Sequence, residues 1–262
     1  MPTPFIRPSG DLPASLSALV WRGDTLGRPV TASCASGFGA LDAALPGGGW
    51  PGFGLTELLS SPAGALEFRL LGPALGRVCA TGREVVLVGP PQPPHLPGLL
   101  PYGVTARQLV WVQAGTPVER LWATEQLVKA GSCGAVLAWL PQARPAQLRR
   151  LQVLASEHEG PVWLCRPAVS ARESSAAPLR LLVRPGAGWA LAVDVIKRKG
   201  PPLAHTLQLP ALPAGLSAVL PPRLLDLDLG HGAADRFPVP READHAVVRT
   251  PTAEHRRPAV PH

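Results

Sequence analysis

Apolar positions along the chain alternate between continuous runs typical of strands and three- and four-residue spacings typical of helices. Strand-like runs occupy residues 55–59, 84–88, 108–112, 133–140 and 162–165. Helical spacing covers residues 64–81, 117–130 and 145–157, with shorter helical stretches at residues 12–21 and 37–45. Because strands and helices alternate between residues 55 and 165, the pattern predicts an α/β fold. Its mostly parallel sheet would be flanked by helices.

Two of the predicted helices carry local signals of their own. Thr116, Pro117 and Glu119 form the start of a capped helix, and Gly131 suits its end. The helix over 64–81 contains Pro73, which we expect to kink or split it because proline lacks a backbone N–H.

After Pro167 the pattern changes. Residues 179–184 and 189–196 read as two strands joined by the turn at 185–188, so we predict an antiparallel hairpin at one edge of the sheet. A third strand is indicated at 205–209. From Pro210 the chain is rich in proline and has no sustained period, which predicts a poorly ordered tail. Its apolar positions are candidate partner contacts: Leu216, Leu220, Leu224, Leu225 and Leu227.

Charge and composition narrow the function classes. The chain of 262 residues carries a net charge of +7, and residues 222–262 are neutral, so the excess lies in the preceding part. This favours DNA or an acidic protein as partner, although an arginine-rich composition alone would give the same balance. No membrane-length apolar run and no secretory segment is present, which predicts a cytoplasmic protein without membrane contact. The scattered cysteines and histidines predict no metal site, and Cys133 and Cys165 are expected to be buried.

The segment from Gly37 to Leu71 resembles the core of RecA-type ATPases. It contains a short helix signal with Leu41-Asp42, a glycine-rich turn at 47–54, a strand with Glu57 and then a helix. The helix at 117–130, the strand at 133–140 and the basic residues at 197–199 follow in the order of that family. The resemblance implies a lead-in at 1–36, a RecA-like core at 37–210 and a tail at 211–262.

The position of the phosphate-binding loop departs from that family. A P-loop needs a glycine-rich turn closed by Gly-Lys-Ser/Thr, and the sequence has no Gly-Lys pair. The degenerate loop consists of Ser60, Ser61, Gly64, Ala65, Leu66 and Glu67, and Trp139 stands at a strand end where an acidic magnesium ligand is expected. Since phosphoryl transfer depends on positioning and charge stabilisation, we expect no hydrolysis, no catalytic residue, no cofactor and no metal.

Further phrases resemble the ImuA family of SOS-associated accessory proteins in translesion DNA synthesis. They are Val20–Gly23, Gly37–Pro51, Leu55–Leu59, Gly134–Leu140, Leu148–Gln152 and Ile196–Gly200. The resemblance implies a non-enzymatic scaffold that acts with an inactive Y-family polymerase homologue and an error-prone polymerase, with RecA as a further candidate partner. Two alternatives remain: a cell-division inhibitor of SulA type, which is also RecA-like without a P-loop, and a regulator with residual nucleotide binding.

Several side chains are candidate contacts with DNA or a protein partner. They are Arg144, Arg149 and Arg150 on one helix, Lys197, Arg198 and Lys199 at a strand end, and Trp50 in the glycine-rich turn. Solvated arginines and a solvated strand end would give the same pattern. Trp50 is expected to be more exposed than Trp139, which is expected to be core or to plug the former nucleotide pocket.

Overall fold

The computed structural model describes residues 33–61 and 66–213, together with residue 216 and residues 220–221. The predicted helix at 12–21 and most of the predicted tail lie outside these residues. The strands are β1 (Ser33–Cys34), β2 (Trp50–Pro51), β3 (Leu55–Ser60), β4 (Val85–Val88), β5 (Leu109–Val112), β6 (Ala135–Trp139), β7 (Val162–Pro167), β8 (Leu179–Pro185), β9 (Ala190–Lys197) and β10 (Leu207–Pro210). The helices are α1 (Gly39–Ala44), α2 (Glu67–Ala80), α3 (Leu96–Leu99), α4 (Pro117–Ala130) and α5 (Pro145–Ala155), with 3-10 turns at Leu100–Tyr102 and Ala168–Arg172.

Eight strands form one sheet in the order β10-β9-β8-β3-β7-β6-β4-β5. The pairs from β8 to β5 are parallel, whereas β8, β9 and β10 pair antiparallel. The α/β class, the mostly parallel sheet and the antiparallel edge predicted from the sequence are therefore confirmed, including the third strand after the hairpin.

The core lies on both faces of this sheet. Along β4, Val85 and Leu87 face the layer that contains α1 and α2, and Val86 and Val88 face the layer that contains α4 and α5. Because both faces are covered, β4 and β6 are continuous apolar runs, as expected of buried parallel strands.

Helix α4 begins and ends where its sequence signals predict. The Thr116 hydroxyl accepts a hydrogen bond from the Glu119 N–H at 3.2 Å, and the Glu119 carboxylate accepts one from the Thr116 N–H at 2.9 Å. Gly131 ends the helix in the left-handed conformation at φ 63°. The capping box and the glycine stop are thus confirmed.

Helix α2 runs without a break through Pro73, so the predicted split is wrong. The helix packs closely against the turn that contains Tyr102. A Cβ at Gly76 would lie 1.8 Å from the carbonyl oxygen of Tyr102, and a Cβ at Gly72 would lie 2.6 Å from its ring. The two glycines therefore let the 3-10 turn that contains Tyr102 pack directly against α2.

The glycine-rich turn contains a strand that the sequence pattern did not predict. Strand β2 pairs antiparallel with β1 to form a separate two-stranded sheet, with Cys34 opposite Trp50. A Cβ at Gly49 would lie 2.5 Å from the carbonyl oxygen of Cys34, so glycine is needed for this approach. The predicted lead-in, at 1–36, therefore contributes its last residues to the folded core.

Candidate functional site

The carboxyl ends of β3, β4, β6 and β7 meet at one edge of the sheet, where open α/β folds usually bind ligands. Ser60 ends β3, and Glu67 is the first residue of α2. Ser61 and Leu66 lie between them, while Gly64 and Ala65 of the predicted degenerate loop lie outside the described residues. The candidate site is therefore built from the strand ends and the start of α2.

Glu67 is buried at the N-terminus of α2, with 2% of its surface exposed. The Ser60 hydroxyl donates a hydrogen bond to Oε1 at 2.8 Å, and the Leu66 N–H donates to Oε2 at 3.2 Å. A helix N-terminus favours negative charge, and in a phosphate-binding protein that charge comes from the ligand. Here the chain supplies it through its own carboxylate.

Trp139 closes the same edge from β6. It is 2% exposed, and its ring packs against Phe68 with the two centroids 5.8 Å apart. Cys165 on β7 is also buried, and burial together with the negative charge of Glu67 raises the pKa of its thiol well above the ordinary value. Trp139 belongs to the core cluster, which agrees with the first of its two predicted roles, and its role as a plug for a nucleotide pocket stays a prediction.

A small cavity of about 60 Å³ lies at these strand ends. Trp139, Cys165 and Arg166 line it together with Arg120 and Gly89. Ligand pockets for nucleotide-sized molecules are roughly 300–1,000 Å³ in volume. The cavity formed by the described residues is therefore the size of a small ion and far below that of a nucleotide.

The sequence analysis did not predict a buried cluster of charged side chains around Glu57 of β3. Glu57 is fully buried between Arg166 on β7 and Arg180 on β8. Arg166 Nη1 lies 3.1 Å from Glu57 Oε1, and its Nη2 lies 2.7 Å from the Glu173 carboxylate. The hydrogen bond from Arg166, together with its charge, holds the pKa of Glu173 below its usual range. One glutamate and two arginines within otherwise apolar strands were the signal for this cluster.

The arginines predicted as contacts on α5 behave differently from one another. Arg144 and Arg149 are exposed. Arg150 forms a salt bridge with Glu125 of α4, and Glu125 is largely buried in this pair. Arg150 thus joins two helices, while Arg144 and Arg149 stay accessible to a partner.

The basic residues at the end of β9 also differ in whether they bond within the chain or only face solvent. Lys197 Nζ donates to the carbonyl oxygen of Ser175 at 2.8 Å, and Arg198 donates to the carbonyl oxygens of Pro201 and Ala44. Arg198 therefore holds the C-terminal end of α1 against the sheet, and Lys199 is exposed.

The predicted exposure of Trp50 is wrong. Its surface is 0% exposed, and its ring meets Trp163 edge-on with centroids 5.9 Å apart. Pairing of β2 with β1 turns this side chain towards the sheet, so it serves as core and is not accessible to a partner.

The tail positions are only partly described. Leu216 and Leu220 are half-buried, and the Leu220 N–H donates to the Leu216 carbonyl oxygen at 2.9 Å. Leu224, Leu225 and Leu227 lie outside the described residues.

Cys133 and Cys165 are buried, as predicted, and all four cysteines are free thiols.

Within the described ranges, no group of three His, Cys, Asp or Glu side chains is placed to hold a metal ion. None of the helices described there is long and apolar enough to cross a membrane.

No protein-family model matches the chain, and no curated protein matches it closely enough to count as a relative. The interpretation of the site therefore depends on its own chemistry.

Proposed function

We propose that this chain is a non-enzymatic accessory protein of mutagenic translesion DNA synthesis, acting in the cytoplasm through protein contacts. The observation that carries the proposal is the carboxylate of Glu67, which occupies the start of α2 and is held there by Ser60. The negative charge of this carboxylate would repel a triphosphate brought to the same position. A scaffold protein needs the fold but no bound nucleotide. This arrangement keeps the fold, and the Glu67 carboxylate takes the position of a ligand at the start of α2.

The partners in this proposal are an inactive Y-family polymerase homologue and an error-prone polymerase, with RecA as a further partner. The support comes from the sequence phrases shared with the ImuA family, above all Gly37–Pro51 and Gly134–Leu140. In the fold these phrases form α1, β2 and β6. Of these elements, β6 ends at Trp139, whose ring packs against Phe68, the residue after Glu67.

Exposed apolar side chains supply a surface for such contacts. On α4, Val118 is 77% exposed and Trp122 is 64% exposed, one helical turn apart. Trp111, on β5 at the end of the sheet, is 39% exposed. Tryptophan is enriched at the centres of protein interfaces, and exposed apolar groups of this size mark such sites. We therefore assign the polymerase contact to α4.

The test measures binding of the purified full chain to the purified polymerase homologue and to the error-prone polymerase. Trp122→Ala should weaken the polymerase contact at least ten-fold, because the indole is a large apolar side chain that is 64% exposed. Gln126→Ala, one turn further along the exposed face, is the matched control and should bind like the wild type. Urea unfolding should be the same for both variants, since both side chains are exposed.

Three outcomes would contradict the proposal. Equal polymerase affinity of the wild type and Trp122→Ala would remove α4 from the interface. Binding to cell-division proteins without binding to either polymerase would favour the inhibitor of SulA type. Magnesium-dependent heat on titration with ATP would favour the nucleotide-binding regulator.

A further inference from the structure

Helices α4 and α5 pack side by side in one layer, on the face of the sheet opposite α1 and α2. The salt bridge between Glu125 and Arg150 joins them. Trp122 lies about one turn before Glu125, and Val153 lies about one turn after Arg150. Val153 is 62% exposed, close to the 64% of Trp122. The exposed apolar surface that begins on α4 with Val118 therefore continues onto α5 beyond this salt bridge.

The charged side chains of the two helices leave an excess of free positive charge. Both carboxylates are engaged within the chain, because Glu119 caps the start of α4 and Glu125 pairs with Arg150. Lys129 and Arg149 are exposed, and no ion pair among the described residues includes either of them. Apolar side chains thus lie beside cations that have no carboxylate of their own. The α4–α5 face consists of Val118, Trp122, Lys129, Arg149, Arg150 and Val153.

The charges at the margins of this face do not cancel the excess. Arg144 precedes α5 and Glu157 follows it, and both are exposed, so these two offset each other. Arg120 is half-buried and donates a hydrogen bond to the Ala114 carbonyl oxygen at 2.9 Å. The α4–α5 face therefore favours a partner that carries both apolar groups and negative charge.

We propose that the α4–α5 face binds an acidic, amphipathic protein segment, which in the proposed function belongs to the polymerase partner. Its apolar side chains would pack on Trp122 and the two valines, and its carboxylates would lie beside Lys129 and Arg149. Protein interfaces commonly have an apolar centre with aromatic side chains and a polar rim, and complementary charge at the rim speeds association. The inference rests on the proposed function, since it names the chemistry of the segment that contacts α4.

Single-stranded nucleic acid is the other occupant that a tryptophan near arginines suggests. In the two helices, Lys129 and Arg149 are the exposed cations without an ion pair, and tight binding to phosphates uses several such contacts. Val118 is 77% exposed and Val153 is 62% exposed, and an aliphatic side chain offers a base no stacking surface. These aliphatic groups favour a protein segment.

The experiment measures binding of the purified full chain to both purified polymerase proteins from about 0.1 M to about 1 M salt, over which the screening length falls from about 10 Å to about 3 Å. The affinity of the wild type should fall with salt. Arg149→Glu should weaken binding about ten-fold at the lower salt and less at the higher, whereas Arg149→Lys should bind like the wild type. Arg77→Glu is the matched control, because this exposed arginine lies on α2 in the opposite layer, and it should not weaken binding.

The contribution of α5 to the apolar surface is tested separately. Val153→Ala removes two exposed methyl groups and should weaken binding about three-fold or more at every salt concentration. If Trp122→Ala binds more weakly but Arg149→Glu and Val153→Ala bind like the wild type, this inference is overturned while α4 stays the polymerase contact.

If the wild type binds neither polymerase, the proposed function fails, and a synthetic amphipathic helix with leucine on one face and glutamate on the other decides the inference. Binding of this peptide but not of its lysine counterpart supports an acidic segment. Equal binding of the two peptides, or binding of neither, overturns it. Binding of oligothymidine that Trp122→Ala abolishes would identify single-stranded DNA as the occupant and would also overturn it.

Discussion

The side chains of Ser60 and Glu67 determine which group lies at the N-terminus of α2. The Ser60 hydroxyl and the Glu67 carboxylate are both buried, and the hydrogen bond between them gives this charge a fixed partner. The sequence alone placed Glu67 in the degenerate phosphate-binding loop, because the order of the residues shows which one stands there. Its bond to Ser60 was not predictable, because it depends on how β3 and α2 meet in space.

This pair makes a prediction about stability. Ser60→Ala should lower the free energy of unfolding by about 1–3 kcal/mol, because it leaves a buried carboxylate with one donor fewer. The neighbouring Ser61 is exposed, so Ser61→Ala should stay within about 0.5 kcal/mol of the wild type. Urea denaturation measures both. Equal stability of the two variants would mean that the Ser60 bond contributes nothing to folding.

Trp50 shows where reasoning from single residues failed. Its place in a glycine-rich turn suggested exposure, but the turn contains β2, and pairing with β1 buries the ring against Trp163. A two-residue strand has too few positions to show an alternating pattern. The contact could be predicted only after the path of the turn was known.

At the scale of elements, α2 shows how packing overrides local propensity. Pro73 favours a break and two glycines weaken a helix, yet the element continues for 14 residues. The glycines permit a backbone contact with Tyr102 that larger residues would prevent. In contrast, α4 follows its sequence signals closely, because its cap and its stop are formed by residues adjacent in the chain.

The packing of α2 can be tested by adding one methyl group. Gly76→Ala should destabilise the protein by about 1–3 kcal/mol although alanine is the better helix former, because the new Cβ would overlap the Tyr102 carbonyl oxygen. Gly39→Ala is the matched control, since that helical glycine has open space around its Cβ position. The control should be neutral or stabilising by up to about 1 kcal/mol. Thermal or urea unfolding distinguishes the two, and a stabilised Gly76→Ala would show that α2 and the turn can move apart.

At the scale of the whole molecule, the two ends of the parallel strands differ. At the carboxyl ends the buried Glu67 carboxylate lies at the start of α2, and at the opposite end Arg83 joins several connections. Its guanidinium donates to the carbonyl oxygens of Glu159 at 2.9 Å and Cys133 at 2.7 Å, joining the connections that precede β4, β6 and β7. Buried His158 lies in the same region.

His158, in the region of Arg83 at this end of the strands, makes the free energy of unfolding depend on pH. Burial lowers the pKa of His158 below its ordinary value near 6.5, and the charge of Arg83 adds to that effect, while the Val128 backbone and Glu159 oppose it. Above pH 6.5 the imidazole is neutral in both states, and its contribution to stability is complete. As the pH falls below 6.5 the unfolded chain binds a proton before the native one does, so stability is lost, by at most about 1.4 kcal/mol per pH unit.

The measurement compares urea unfolding at pH 7.5 and pH 5. The wild type should lose more stability between these values than His158→Gln, whatever the absolute stability of that variant. His205→Gln, at an exposed histidine, should keep the wild-type pH dependence. If all three proteins lose the same stability, His158 does not couple folding to pH.

The sequence predicted the large features of this fold and left out those made by distant contacts. Strand and helix order, the antiparallel edge and the α4 cap follow from periodicity and short motifs that each segment carries by itself. The cluster around Glu57 joins residues more than 100 positions apart, the β1–β2 pair joins the two sides of a loop, and the bond between Ser60 and Glu67 depends on how β3 and α2 meet. Only the three-dimensional path of the chain brings these partners together, so a local pattern can indicate at most the separate residues.

The buried cluster of Glu57, Arg166 and Arg180 has an evolutionary consequence. Loss of Glu57 would leave two buried guanidinium groups without their shared carboxylate, and loss of either arginine would take a donor from the buried Glu57. Breaking such a buried pair costs about 3–5 kcal/mol, a large share of the stability of a typical domain. We therefore expect a substitution at one of these positions to be accompanied by a compensating substitution at another. In related sequences the three positions, on three adjacent strands, should change together.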